Sequence, residues 1–334
     1  MSGRGLDVGT SYIVLAQNNS GSVEYRDFRD AFYIIKPTTP VASKMIEKGL
    51  AGKTFIKDAD GSFILLGKDA IEKAIERNDT AKRPMYRGVV SAKEKDAKRI
   101  LAFILKEVAG KASEPDEKIV FCIPAQPVDQ GDDDFDVGYH EDVVKSILAE
   151  CGYVAKSINE AEALCYAELE SVDYTGIGIS CGAGMTNVCV MLNGEPTVIF
   201  STTKSGDWVD RMSAVATGEP DSVVQVEKEG GDFTIGETSD NPILAAVSAY
   251  YERLIDYTTK NLTMALSNHK SLPKFKEPLT IVIAGGTSQA KGYVEYFKAS
   301  LENNGFPLKV KEIKQAKDPL HSVAKGCLIA SQVL

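Results

Sequence analysis

Apolar positions along the chain alternate between two periods, and the alternation itself predicts the architecture. Gly5 to Ala16 reads as a strand, a Gly-Thr-Ser turn and a second strand, and Ser22 to Arg26 as a third after the polar turn Asn18-Asn19-Ser20-Gly21. Lys53 to Lys57 and Phe63 to Leu66 flank the hairpin turn Asp58-Ala59-Asp60-Gly61, with a helix from Asp69 to about Arg77. Ser91 to Ala109 carries Ile100, Leu101, Ile104, Leu105 and Val108 at helical spacing; Ser91 and Glu94 are placed to form a capping box. A strand at Lys118 to Ile123 then leads, past an acidic surface loop at Asp129 to Asp136, to a helix at Tyr139 to Cys151 and a strand at Val154 to Ile158.

A helix at Asn159 to Leu169 joins this half to a second one built alike. Strands at Gly176 to Cys181, Thr186 to Leu192 and Pro196 to Ser201 are linked by a Gly-Ala-Gly turn and by Asn193-Gly194. Helices follow at Asp207 to Ala216, Asp221 to Glu229 and Pro242 to Asn268, the last with proline in its first turn. An apolar strand at Leu279 to Ala284 runs into Gly285-Gly286 at a helix start; a strand at Leu308 to Glu312 and a helix from Pro319 to Leu334 finish the chain. Strands alternating with helices make this an α/β protein, and the repeated hairpin-plus-strand unit makes it a duplicated one with a cleft between two lobes.

Length agrees, since 334 residues at roughly 150 per domain give about two domains. With 38 basic and 47 acidic residues the net charge is −9, which argues against direct nucleic-acid binding while leaving a nucleotide open, because backbone N–H groups alone can hold a phosphate. The apolar runs fall far short of the ~18 residues a membrane span needs, and no signal peptide precedes Leu6. A cytoplasmic protein with six free cysteines and no transition-metal site is expected.

Three glycine turns carry the chemistry. In Asp7-Val8-Gly9-Thr10-Ser11, Gly9 lets the backbone come close to a phosphate, Thr10 and Ser11 add N–H and hydroxyl donors, and Asp7 can hold a hydrated Mg²⁺. Ser180 to Asn187 sets a second such turn (Gly182, Ala183, Gly184, Met185, Thr186) at the equivalent point of the second half. Gly285-Gly286-Thr287-Ser288, with Gln289 behind it, suits the approach of a flat nucleoside. Neither a Walker-type G-x-x-x-x-G-K-[ST] nor a G-x-G-x-x-G follows the first strand.

In order and spacing these segments resemble the superfamily of actins, sugar kinases and seventy-kilodalton heat-shock chaperones. Gly5 to Ser11 is similar to its first phosphate loop, Ile158 to Ala163 to its first connecting helix, Ser180 to Thr186 to its second phosphate loop, Ala284 to Ser288 to its adenosine motif and Asp318 to Gly326 to its second connecting helix. The last string is most similar to the bacterial actins that shape rods or align magnetosomes. The resemblance implies a ribonuclease-H-like duplicated fold: lobe I over 1–158 with a small subdomain near 28–82, and lobe II over 159–334 with a short one near 212–238. The final helix, 319–334, would pack back toward lobe I. It implies ATP or ADP with Mg²⁺ as ligands, Asp7 on the metal side, Glu160 as the residue that orients the attacking water, Gly206-Asp207 as a further phosphate-side element, and Lys228 and Glu229 near the ribose or base. The second loop departs from the usual D-x-G-x-G-x-T-D, with Ser180 and Asn187 where carboxylates stand, so slow hydrolysis is expected.

Neither a peptide-binding domain after the second connecting helix nor a sugar-kinase insert is expected. The expected function is therefore a filament-forming actin-like ATPase that polymerises with itself and meets an adaptor or cargo protein. The alternative is a non-polymerising nucleotide-dependent assembly factor or chaperone of the same fold.

Overall fold

A computed structural model describes residues 3–129, 135–270 and 272–334. Lobe I begins with the meander β1 (Gly3–Val8), β2 (Tyr12–Asn19) and β3 (Ser22–Arg29). A small subdomain follows, made of β4 (Phe32–Ile35), α1 (Pro40–Gly49), β5 (Phe55–Lys57), β6 (Phe63–Leu66) and α2 (Lys68–Glu76). A short hairpin of β7 (Met85–Tyr86) and β8 (Val89–Val90) leads to α3 (Ala97–Ala109), β9 (Lys118–Ile123), α4 (Val137–Glu150) and β10 (Val154–Asn159). The helix α5 (Glu160–Glu168) then opens the second half, which holds β11 (Gly176–Cys181), β12 (Thr186–Leu192), β13 (Glu195–Thr202), α6 (Gly206–Thr217) and α7 (Asp221–Gly230). The long α8 (Pro242–Ser267), β14 (Leu279–Ala284), α9 (Tyr293–Asn303), β15 (Val310–Gln315) and α10 (Ser322–Val333) complete it.

The duplication is written in the sheets. One has the order β10-β9-β1-β2-β3 and the other β15-β14-β11-β12-β13 when read from the same end. In each, the first three strands in sequence pair antiparallel and the outer two add in parallel. The strands β11 and β14 are buried along their whole length, as apolar strands covered on both faces must be.

The two connecting helices pass between the lobes. The helix α5 leaves lobe I and lies on β11, where a side chain at Gly178 would meet the Ala161 carbonyl at 2.8 Å. The helix α10 leaves lobe II and lies on β1, where a side chain at Gly5 would meet the backbone of Ala324 and Leu328 at 2.2 Å. Where the helices cross, Gly326 rests on Ala163, with 1.8 Å between an added Cβ and that carbonyl. Small residues at all three contacts let backbones touch, and Val120, Cys122, Ala161, Leu164, Val323 and Cys327 fill the interior between the halves.

Several expectations are corrected. The helix expected from Ser91 begins at Ala97, because Ser91 gives its N–H to the Pro84 carbonyl and Glu94 pairs with Lys82 instead of closing a capping box. The last helix begins at Ser322, not Pro319: Asp318 O accepts from Ser322 N and His321 N, so 319–321 is a turn. Gly286 starts a single 3₁₀ turn to Gln289, and the true helix waits until Tyr293. The late strand sits at Val310–Gln315. β4, α1 and the β7–β8 hairpin add to the elements expected. Of the acidic loop, residues 130–134 lie outside the described residues.

Candidate functional site

Between the lobes lies a cavity of about 550 Å³, and every site residue expected from the sequence lines it except Thr186 and Gly206. Those two stand behind the wall. Thr186 is buried with its hydroxyl donating to Ser205 Oγ at 3.2 Å, and a Cβ at Gly206 would collide with Thr287 Oγ1 at 2.4 Å.

The three glycine turns meet at this cavity. At the first, a Cβ on Gly9 would lie 2.6 Å from the Tyr12 carbonyl, so the β1–β2 turn needs glycine there. Thr10 Oγ1 accepts from Gly88 N–H at 2.9 Å, and Gly184 of the second turn packs so closely that a Cβ would sit 2.5 Å from the same oxygen. The Gly182 carbonyl gathers the rest: it accepts from Gly206 N–H at 3.3 Å, Ser205 Oγ at 2.5 Å and Thr287 Oγ1 at 2.7 Å. Gly285 has φ +92° and would clash with the Cys181 carbonyl at 2.2 Å if it bore a side chain, whereas a Cβ on Gly286 meets nothing within 4 Å.

Two carboxylates stand at the phosphate-loop end, Glu160 buried and Asp7 half-buried. Asp7, one residue before the end of β1, has Oδ1 accepting from the Cys122 thiol at 3.0 Å, and that sulfur takes the Val8 N–H at 3.3 Å. Glu160 is the first residue of α5; its Oε2 accepts from Asn187 Nδ2 at 2.9 Å and Ser180 Oγ at 3.5 Å. Burial raises the pKa of both; the Cys122 hydrogen bond and the charge of His321 offset part of the rise at Asp7, and the charge of Asp7 raises Glu160 further. Glu162, the other acidic residue of this turn, faces away and closes the capping box with Asn159.

At the opposite end the expected ligand contacts are engaged with protein. Asp207 is held by Arg83, Glu229 by Arg29, and Lys228 Nζ donates to Asp210 Oδ2 at 2.9 Å. Sequence reasoning passed over Arg29, Arg83, Gln225, Phe233 and Tyr251, which belong to no glycine turn; only the fold brings them to the cleft. Cys122 looked like a small core hydrophobe, and its apolar strand gave no sign that it would touch Asp7.

Two lobes of identical topology, crossed connecting helices and a glycine-lined cavity define an actin-like fold. The chain belongs to the volactin family, which residues 1–331 match. Among solved structures it is similar to the MamK double helical filament, at 19% identity and a TM-score of 0.73, covering 100% of this chain and 99% of that one. It is also similar to MreB5 of Spiroplasma citri bound to AMPPNP, with 14% identity, a TM-score of 0.69 and coverage of 99% and 96%. EutJ, the ethanolamine utilization protein from Carboxydothermus hydrogenoformans, follows at 16% identity, a TM-score of 0.55 and coverage of 98% and 90%. No curated protein matches the sequence. Among the described residues no helix is long and apolar enough to cross a membrane.

Proposed function

We propose that the chain binds ATP with Mg²⁺ in this cleft, hydrolyses it slowly and assembles head to tail into filaments. The observation that carries the reading is the meeting of three glycine turns, from both lobes, on one cavity of nucleotide size. Backbone N–H groups at such turns suit a phosphate chain. The neighbour in the MreB5 structure is bound to AMPPNP, and the MamK neighbour is a filament.

Asp7 fits Mg²⁺ as a hard oxygen donor, half-buried in the lining of the cavity beside the turns where phosphates would lie. Mg²⁺ is usually held by one or two carboxylates together with substrate phosphates, and Asp7 beside the turns can supply one such carboxylate. The metal would compensate phosphate charge. The turns of Gly9 and Gly182 would bind the chain, Gly286 would leave room for the base, and Glu160 would orient a water. In hydrolysis the water oxygen bonds to the terminal phosphorus, the bond to the bridging oxygen breaks, and the water's proton leaves toward the carboxylate.

Self-association would use the region from Met212 to Thr238, where Val215 and Val226 stand exposed, in a heterologous contact that does not close. Ser180 and Asn187 favour the second reading, a non-polymerising assembly factor, because neutral groups stand where the usual loop has carboxylates and slow hydrolysis suits that role. High-speed pelleting with and without Mg-ATP separates the two. Pelleting that depends on nucleotide supports the filament, and a monomer far above micromolar concentration supports the assembly factor.

A further inference from the structure

Ser180 and Asn187 are direct cross-strand partners on β11 and β12, so both side chains leave the sheet on one face, and both reach the same oxygen of Glu160. Asn187 is fixed in one orientation. Its Oδ1 accepts from the Ala125 N–H at 2.7 Å, which leaves only the amide Nδ2 to face Glu160 Oε2 at 2.9 Å. A flipped amide would set its nitrogen against the Ala125 N–H and its oxygen against a carboxylate. The Ala125 segment is itself anchored, since its carbonyl accepts from Ser201 Oγ at 2.8 Å. Asn187 is completely buried, so no water competes for the bond.

We infer that Asn187 is a positioning residue for Glu160: a neutral donor, aimed by Ala125, that occupies Oε2 and leaves Oε1 as the oxygen presented to the attacking water. The inference rests on the reading of this cleft as a nucleotide-hydrolysing site. It also gives the departure from the usual loop a physical reason. A carboxylate at 187 would keep the Ala125 bond and turn its other oxygen toward Glu160, setting two carboxylate oxygens at 2.9 Å with neither able to donate unless they share a proton. The loop is neutral at both positions because Glu160 already supplies the charge there.

Asn187→Asp tests this with almost no change in volume, and Asn187→Ser provides a second variant that keeps an oxygen near Ala125 but is too short to donate to Glu160. Both are to be purified as full chains, checked for folding by thermal melting, and compared with wild type for ATP turnover and for nucleotide affinity by calorimetry. The expected result is a kcat lower by roughly ten- to hundredfold, the range for removing the partner of a catalytic ligand, with KM and affinity unchanged. Wild-type turnover in either folded variant overturns the assignment, and so does a loss confined to KM. A wild type that binds ATP without measurable turnover, or fails to bind it, overturns the reading of the site and takes the inference with it. That outcome is distinct, because it is seen before any variant is compared.

Discussion

Arg83 crosses the mouth of the cleft to grip both carboxylate oxygens of Asp207, its Nη1 lying 2.7 and 2.9 Å from them. The contact continues as a chain. Arg83 Nη2 donates to Gln225 Oε1 at 3.3 Å, Gln225 Nε2 donates to Glu229 Oε1 at 2.9 Å, and Arg29 Nη2 holds both oxygens of Glu229 at 2.7 and 2.9 Å. Arg29 also stacks over the Tyr12 ring. Lobe I supplies the two arginines and lobe II the acceptors, so opening the cleft must break the chain.

Arg83→Ala is therefore expected to speed release of a fluorescent ATP analogue. A partly exposed pair contributes about 1 kcal/mol or less, which sets the effect at roughly two- to fivefold. Rising salt should speed wild-type release and leave the variant less affected. Stopped-flow displacement reads both. Exchanging the charges, Arg83→Asp with Asp207→Arg, should restore slow release, and Arg83→Ala releasing at the wild-type rate would show that the chain is no barrier.

The crossing of α5 and α10 makes a stability prediction. Gly326→Ala puts a methyl group 1.8 Å from the Ala163 carbonyl, a backbone atom that cannot swing aside. Overpacking of this kind costs about 1–3 kcal/mol or more. Thermal melting should fall by roughly several degrees or the variant should not fold. Gly49→Ala is the control: a Cβ there meets nothing within 4 Å, it ends a helix, and alanine is the better helix former, so the melt should hold or rise.

The glycine turns were legible because they are contiguous: Asp7 to Ser11, Ser180 to Asn187 and Gly285 to Ser288 each announce a strand that turns within a few residues, and the structure brings them to one cavity. The β9, β11 and β14 strands were legible as short, largely apolar runs. What stayed hidden depends on distant partners. The helix start expected at Ser91 was displaced because Pro84 and Lys82, upstream residues, took the groups that would have capped it. The helix α1 carries no buried residue, and its apolar Val41 and Met45 stand exposed, so no core contact marks it. Arg29, Arg83 and Cys122 have ordinary local contexts, and their partners stand 200, 124 and 115 residues away.

His321 gives the pH dependence. Its ring stacks on Tyr25 at 4.3 Å, with Nδ1 2.7 Å from Asp318 Oδ2 and Nε2 3.0 Å from Asp27 Oδ1, so it ties the start of α10 to β3. Burial opposes the charged ring, but the hydrogen bonds and charges of Asp318 and Asp27 outweigh it and raise the pKa. A raised folded-state pKa means the stabilisation is fully present below the unfolded value near 6.5 and is lost as pH rises through the folded value. Melting temperatures of wild type and His321→Gln should therefore differ most at pH 6 and converge in alkaline buffer. A gap that widens as pH rises would mean the ring is held neutral.

Adjacent glycines make the last prediction, and they should behave in opposite ways. Gly285 is locked by φ +92° and by the Cys181 carbonyl, so Gly285→Ala should destabilise the fold whether or not a ligand is present. Gly286 opens onto the cavity, and no protein atom lies within 4 Å of a Cβ added there. Gly286→Phe should keep the wild-type melting temperature without nucleotide, because the ring projects into space that the fold leaves open. It should abolish the rise in melting temperature that Mg-ATP gives wild type, because the ring takes the place assigned to the base. A ligand binding only the native state at 100 times its Kd adds about 2.7 kcal/mol, enough for the shift and its loss to be read directly. If Gly286→Phe folds normally and keeps the shift at millimolar ATP, the nucleoside does not lie against this turn, and the orientation proposed for the nucleotide in the cleft is wrong.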